Sequence, residues 1–385
     1  VVCGGGGWWL YSKFQDFQAE QLARRDEALR EAGIDPAEWE RAMEASMNVD
    51  SSPEVQNGLA NRRAFEVNPA AEFEGVRGLV FSADGSELFV ACDERNDVDQ
   101  RERGSVRRFT IATGQAGQRK DVDYLPTGAS LSSDRSSLVL GGRAESGLTG
   151  LHFLDGRSLD EQSFVEVKNI EPGTVEWMPD GEQAFLHFGA GGGEAAVLHL
   201  SQGSETVLGA SADSPTIGKN FRDAALMPDG KTVVAEELDF EVEEQRAELQ
   251  LYDVETGALR TSIPLAKLSK DVFGNTVNYE QVEPAGGEAQ VVLAASDGGL
   301  SAWDIESGAS LYQVRPPDAN VYGFVRMAVS PDGSLIAMSA NEYAIVRLYD
   351  AKDGRYVATL VAPESGERGS AAGFAFAPGG KVLAG

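Results

Sequence analysis

Short apolar runs alternate with polar turns from residue 76 to the end of the chain, and the same order of elements returns each time. One unit has an apolar strand, a turn of the Pro-Asp-Gly type, a second apolar strand, a variable connection, a third strand ending in an aromatic-Asp pair, and a fourth strand. The turns are Ala83-Asp84-Gly85, Ser133-Asp134-Arg135, Pro179-Asp180-Gly181, Pro228-Asp229-Gly230, Ala285-Gly286-Gly287, Pro331-Asp332-Gly333 and Pro378-Gly379-Gly380.

The spacing of these turns predicts the fold. Their third residues lie 46 to 57 positions apart, close to the length of a four-stranded propeller blade. In each turn proline presets φ, aspartate bonds nearby backbone, and glycine accepts a positive φ. We therefore expect an all-β, seven-bladed β-propeller of four-stranded antiparallel blades over residues 61–385, with the last blade incomplete.

The sixth unit shows the four strands best, at 324–329, 335–338, 344–349 and 356–360. Its third strand resembles those of two other units, where an aromatic residue precedes the aspartate that opens the next turn. We expect this aromatic residue to pack between blades. The three segments are Leu251-Tyr252-Asp253, Ala302-Trp303-Asp304 and Leu348-Tyr349-Asp350.

On these motifs, residues 76–385 resemble the WD-repeat family and related bacterial seven-bladed propellers. The chain lacks the Gly-His pair that usually precedes the first strand of a WD repeat. The hydrogen-bonded His-Asp support of that family is therefore not expected here.

The N-terminal region has a different composition from the repeats. Residues 1–11, with Trp8, Trp9 and Tyr11, resemble the end of a membrane anchor or signal-anchor flank. A lipoprotein signal acylated at Cys3 and an ordinary soluble terminus are the alternatives. Residues 12–47 are predicted to form a helical stalk and 48–60 a linker. Residues 64–67 are a candidate outer strand for the last blade, which would close the ring.

Both ends of the sequence are expected to be cut within a longer protein. The first residue is Val1, not methionine, and residues 381–385 read as the start of a strand.

Charge limits the class of partner. The net charge is −28 and the pI about 4.4, which opposes attraction to nucleic acid or to an anionic lipid surface. A protein partner of neutral or basic charge is expected, and no nucleic acid. A surface kept soluble by self-repulsion explains the same charge.

No catalytic set, cofactor site or metal site is predicted. The three histidines (His152, His187 and His199) fall in separate strand-like runs, and no CxxC pair is present. Cys92 lies in a strand pattern and is expected to be a buried thiol.

An acidic run in the fourth unit is the first candidate for binding a partner. Its acids alternate with Leu238, Phe240 and Val242, which predicts an extended hairpin with one acidic face that projects beyond the ring. A solvated ridge, a protein-docking ridge and calcium ligation are the three interpretations, and the divergence of carboxylates along one strand disfavours the last. The acids are Glu236, Glu237, Asp239, Glu241, Glu243 and Glu244.

Arg77 and Arg222 are the second candidate. Each lies eight residues before the third residue of its turn, whereas Arg326 lies seven before and should face the other way. Two arginines at the rim are suited to a carboxylate ligand, although pairing with the protein's own acids is the alternative.

The leading functional hypothesis is a non-enzymatic protein-interaction scaffold. It would be a propeller anchored to a membrane on the periplasmic or extracellular side of a bacterial cell, with a soluble cytoplasmic protein as the alternative. A second hypothesis is a propeller enzyme that resembles sugar-lactone lactonases or quinone-dependent dehydrogenases, with its site in the central channel. The segments that follow Asp253 and Asp304 resemble quinoprotein blades but lack the tryptophan usual after the glycine.

Overall fold

The computed structural model of this chain describes residues 75–95, 102–144, 146–170, 172–178, 180–187, 193–210, 221–237, 248–265, 279–287, 289–296, 298–314, 325–340, 345–361 and 373–384. The predicted membrane flank, helical stalk, linker and closing strand at 64–67 lie outside these ranges. None of the residues within them is helical, so this part of the chain has no helix long and apolar enough to cross a membrane.

Six antiparallel sheets of four strands follow one another, and within each sheet the strands are neighbours in chain order. The first sheet has β1 (Val76–Phe81), β2 (Glu87–Arg95), β3 (Glu102–Thr110) and β4 (Gln115–Val122). The second has β5 (Tyr124–Leu131), β6 (Ser137–Ala144), β7 (Thr149–Asp155) and β8 (Glu161–Val167). The third has β9 (Thr174–Trp177), β10 (Gln183–His187), β11 (Ala195–His199) and β12 (Ser204–Val207).

The next three sheets repeat this plan. The fourth has β13 (Phe221–Leu226), β14 (Thr232–Glu237), β15 (Glu248–Asp253) and β16 (Leu259–Pro264). The fifth has β17 (Tyr279–Pro284), β18 (Gln290–Ala295), β19 (Leu300–Asp304) and β20 (Ala309–Val314). The sixth has β21 (Val325–Val329), β22 (Leu335–Ala340), β23 (Ile345–Asp350) and β24 (Tyr356–Val361). A two-stranded sheet of β25 (Ala375–Phe376) and β26 (Leu383–Ala384) ends the described chain.

The hydrophobic cores lie between successive sheets, which is the packing of a propeller. Phe89 and Val106 of the first sheet pack against Leu138 of the second, for example. The predicted role of the aromatic residue in the third strand is confirmed, because Tyr252, Trp303 and Tyr349 are all buried in cores shared by two sheets. The described residues thus form an all-β propeller of four-stranded antiparallel blades.

The short sheet occupies the gap between the sixth sheet and the first. Strand β25 contacts both β21 and β1. Ala377, which follows β25, packs on Phe81, Leu88 and Phe109 of the first sheet. Six four-stranded blades are therefore described, and the two-stranded sheet stands where a seventh blade would begin.

The turns between the first two strands follow the predicted chemistry. In the first turn, Ser82 N donates to Glu87 O and Gly85 has a φ of 72°. Asp84 accepts hydrogen bonds from the Ser82 hydroxyl and from Ser86 N at 2.7 and 3.0 Å. Positive φ recurs at the third turn residue in five further turns, at Arg135, Gly181, Gly230, Gly333 and Gly380.

The fifth turn differs from the prediction by one residue. Ala285 N donates to Gln290 O, just as Ser82 N donates to Glu87 O, so the equivalent of Gly85 comes one position after Gly287. Among the described residues of this turn, Gly286 has a positive φ, at 69°.

The predicted state of Cys92 agrees with its environment. It is a buried thiol in β2, with an exposed fraction of 3%.

Candidate functional site

The first strand of each blade is the innermost one, and together these strands surround the central channel. Direct contacts join β1 to β5, β5 to β9, β13 to β17, and β17 to β21. The third and fourth blades are joined by a hydrogen bond from Leu226 N to the Glu176 carboxylate. We call the end where the first strands begin the polar end, and the end where they turn into the second strands the turn end.

Bulges at the polar end redirect side chains. The register between the first and second strands skips one residue in four blades, and a bulge of this kind re-aims the extra residue. The skipped residues are Arg77, Thr127, Arg222 and Glu280. The predicted equivalence of Arg77 and Arg222 is thereby observed. Arg326 pairs with Ser339 in regular register, so it is not in a bulge. Its predicted opposite orientation stays a prediction.

Arg77 and Arg222 both contact the protein's own acids. Arg77 Nη2 lies 2.6 Å from Asp93 Oδ2. Arg222 Nη1 donates to Glu280 Oε1 at 3.4 Å, and its Nε lies 4.0 Å from Glu236 Oε2. Contact of either arginine with an external carboxylate stays a prediction.

Asp223 connects three blades at the polar end. Its Oδ2 accepts a hydrogen bond from Val282 N of the fifth blade at 3.0 Å, and its Oδ1 lies 3.5 Å from His187 Nδ1 of the third blade. Burial raises the pKa of Asp223 to about 7, and the hydrogen bonds only partly oppose this. Burial also lowers the pKa of His187 to about 4.

Four glutamates extend the site, with Glu236 and Glu280 near the polar end and Glu176 and Glu283 two residues before the turns. Burial raises the pKa of each. The pKa of Glu176 and that of Glu236 rise to about 8. The pKa of Glu280 is also raised, although Arg222 and Arg326 oppose the shift. For Glu283 the rise is larger, because Glu176 and Asp223 add repulsion to burial. We call Glu176, Asp223, Glu236, Glu280 and Glu283 the carboxyl cluster.

The cluster lines a narrow channel that water can reach. Glu176 is surrounded by protein, yet 32% of its side chain is exposed, and Glu280 is 22% exposed. Glu176 belongs to a layer of inner-strand residues at equivalent heights above the turns, most of them small and half-buried. The layer consists of Val80, Ser130, Glu176, Ala225, Glu283, Ala328 and Ala375. Because most side chains of this layer are small, the side chains of Glu176 and Glu283 are open to the channel.

The turn end of the channel is apolar. A depression of about 420 Å³ opens there, lined by residues from the first, second, third, sixth and last sheets. Its apolar lining includes Leu79, Leu131, Trp177 and Phe376, and Arg135 is the one charged residue among those described in the lining. Trp177 Nε1 donates to Ser130 Oγ at 3.1 Å, which fixes the indole.

The predicted acidic hairpin is only partly within the described residues. Glu236 is 5% exposed at the end of β14 and faces Arg222, so it belongs to the channel wall and does not share a solvent-facing ridge. Glu237 is the last residue of β14 and pairs with Phe221. Asp239, Glu241, Glu243 and Glu244 lie outside the described residues, where the prediction of a projecting acidic face stays open.

Sequence reasoning missed most of the carboxyl cluster. Only Glu236 is among the residues predicted to bind a partner, and Glu176, Asp223, Glu280 and Glu283 are not. The available signal was a charged residue in an inner strand where an apolar one would be usual. Among the described residues, no group of three or more His, Cys, Asp or Glu side chains is placed to hold a metal ion.

Comparisons with known proteins agree with the fold and do not assign a function. The chain matches no family model and no curated protein. Among solved structures it is similar to a chain of Kuenenia stuttgartiensis hydrazine synthase, with 17% sequence identity and a TM-score of 0.58. That match covers 81% of this chain and 92% of the other. At this identity the likeness shows the β-propeller fold alone.

Proposed function

We propose that this chain is a non-enzymatic scaffold that binds a neutral or basic protein at the polar end of the ring. The observation that carries the proposal is the acid-rich segment that leaves the polar end. Glu237 ends β14 there, and four more acids follow within the next seven residues, as far as Glu244. A field of one sign attracts and orients a partner of the opposite sign.

Two further features belong to the proposal. The ring has seven blades, because β25 lies between β21 and β1 with room for its outer strands to come from chain beyond the described residues. Residues 1–11 anchor the protein to a membrane on the outer side of a bacterial cell, and residues 12–47 form the stalk. The support for the anchor is the aromatic flank at Trp8, Trp9 and Tyr11.

Neutralising the acidic segment should slow the association of a basic partner. The change is Glu237→Gln, Asp239→Asn, Glu241→Gln and Glu243→Gln in one chain. With an oligolysine peptide as probe, we expect the association rate at low ionic strength to fall roughly tenfold and its salt dependence to flatten. The melting temperature should stay the same or rise slightly, because mutual repulsion is removed.

A matched variant controls for the loss of total charge. Glu166, Glu182, Glu255 and Glu306 are exposed and lie on outer strands or at the turn end. Replacing these four by glutamine removes the same charge and should leave the association rate near that of the wild type. Equal slowing by both variants would show that only net charge matters, and the polar end would then not be the binding site.

A channel enzyme is the second candidate function. The specific observation in its favour is the carboxyl cluster, because side chains with strongly shifted pKa values gather at catalytic sites more often than elsewhere. Structural ion pairs produce the same shifts. Crystals soaked with a sugar lactone or a quinone cofactor would separate the two functions, since ordered density beside Glu176 and Glu283 would favour the enzyme.

A further inference from the structure

The second turn contains a residue that the fold alone does not favour. Arg135 has a φ of 59°, in the left-handed region, where the equivalent residues of five other turns are glycines. A residue with a Cβ is strained in this region relative to glycine. Glycine would therefore fit the backbone of this turn with less strain. The presence of arginine is then explained only by a role of its side chain.

Arg135 is also unusual in its charge environment. The chain holds 61 acidic and 33 basic residues, yet within the described part of the chain the Arg135 guanidinium has no ion pair or hydrogen bond. The neighbouring Asp134 is bound instead by the Ser132 and Ser136 hydroxyls, at 2.6 and 2.9 Å. These bonds hold the pKa of Asp134 below its usual value. Asp134, the acid nearest to Arg135 in sequence, is thus hydrogen-bonded to the two serines and not to the arginine.

The depression beside Arg135 has the size and lining of a small-molecule site. Its volume of about 420 Å³ lies within the ordinary range for such sites. Trp177, Leu79 and Leu131 form an apolar wall, and the indole of Trp177 is held by Ser130. A rigid apolar wall with one cationic fork at its edge selects a molecule with an apolar body and an anionic head.

We propose that the turn end of the channel binds a small amphipathic anion. Its apolar body occupies the depression against Trp177 and Leu131, and its carboxylate or phosphate head pairs with Arg135. This site is separate from the polar end, so it does not depend on the scaffold function.

The test compares ligands that differ only in the head group. Decanoate, decyl phosphate and decyltrimethylammonium share one chain length, and acetate has the head without the chain. Binding is followed by calorimetry and by tryptophan fluorescence. We expect the wild-type chain to bind one or both decyl anions, with no detectable binding of acetate and much weaker binding of the ammonium compound. The two decyl anions distinguish a carboxylate ligand from a phosphate ligand.

The decisive variant is Arg135→Gly, which restores the residue that the other turns use. We expect it to weaken binding of the decyl anion about tenfold, as loss of a charge-assisted bond does, while the melting temperature stays the same or rises. Arg157→Gly is the matched control, because Arg157 is exposed in the turn after β7 and is not part of the lining. It removes the same charge and should leave binding unchanged.

The location of the probe is tested separately. Trp177→Phe should abolish the fluorescence change if the probe sits in the depression. Equal affinity of the wild type and Arg135→Gly, equal weakening by Arg157→Gly, or equal binding of the anion and the ammonium compound would each overturn the proposal.

Discussion

Gly128→Ala is expected to destabilise the ring by about 3 kcal/mol or more. Gly128 is on β5, and a Cβ added to it would overlap the carbonyl group of Gly173, just before β9 of the next blade. Backbone cannot move aside as a flexible side chain does, so the two innermost strands would have to separate. Chemical denaturation of the variant and the wild type measures the loss.

The matched control is Gly379→Ala. Gly379 lies in the last turn, has no positive φ, and an added Cβ there would meet nothing within 4 Å. We expect a change in unfolding free energy of less than about 0.5 kcal/mol. A small loss at Gly128 would mean that the second and third blades are not packed this closely around the channel.

The second large effect is a loss of stability as the pH rises. Folding raises the pKa of Glu176 and of Glu236 from 4.5 to about 8 and that of Asp223 from 3.8 to about 7. At a pH between the unfolded and the folded pKa of each group, that carboxyl group is protonated in the folded chain and ionised in the unfolded chain. The free energy of unfolding therefore falls as the pH rises through this window. We expect a loss on the order of 3 kcal/mol between pH 5 and pH 9, with Glu176 discounted for its partial exposure.

Other groups limit the gain at low pH. The pKa of His187 is lowered from 6.5 to about 4, so its contribution is lost as the pH falls through that interval. Hydrogen bonds lower the pKa of Asp84 and of Asp332 to about 2, so what these exposed turn acids contribute is lost only below about pH 4. Maximal stability is therefore expected near pH 5 to 6.

Glutamine variants isolate the carboxyl cluster from the repulsion of the whole surface. The double variant Glu176→Gln, Glu283→Gln should match the wild type near pH 5 and exceed its stability at pH 9 by on the order of 2 kcal/mol. Glu255→Gln changes an exposed acid and should give a pH profile parallel to that of the wild type. A double variant whose profile also runs parallel to the wild type would show that the cluster does not titrate in the channel.

Much of the fold could be predicted because its signals are local. A turn such as Asp84-Gly85 needs only a few neighbouring residues to specify it, and an aromatic-Asp pair such as Tyr252-Asp253 occurs in three of the units. The fifth turn was misplaced by one residue because the position equivalent to Gly85 is Glu288, so no glycine marks the third turn residue there.

The carboxyl cluster could not be predicted because its contacts are not local. Asp223 contacts Val282 and His187, which are far from it in sequence, and only the packing of neighbouring blades brings them together. A bulge also changes where a residue points, so strand periodicity alone does not place Arg222 beside Glu280. The acidic composition of residues 236–244 predicted that Glu236 belongs to a projecting hairpin. In the structure Glu236 is buried beside Arg222.

An experimental structure of the whole chain tests the central claim most directly. We expect a closed ring of seven blades, with β25 between β21 and β1, and with Glu176 and Glu283 facing a water-filled channel between the polar end and the turn end. A six-bladed ring in which β21 packs directly on β1, or a channel without these two carboxyl groups, would contradict it.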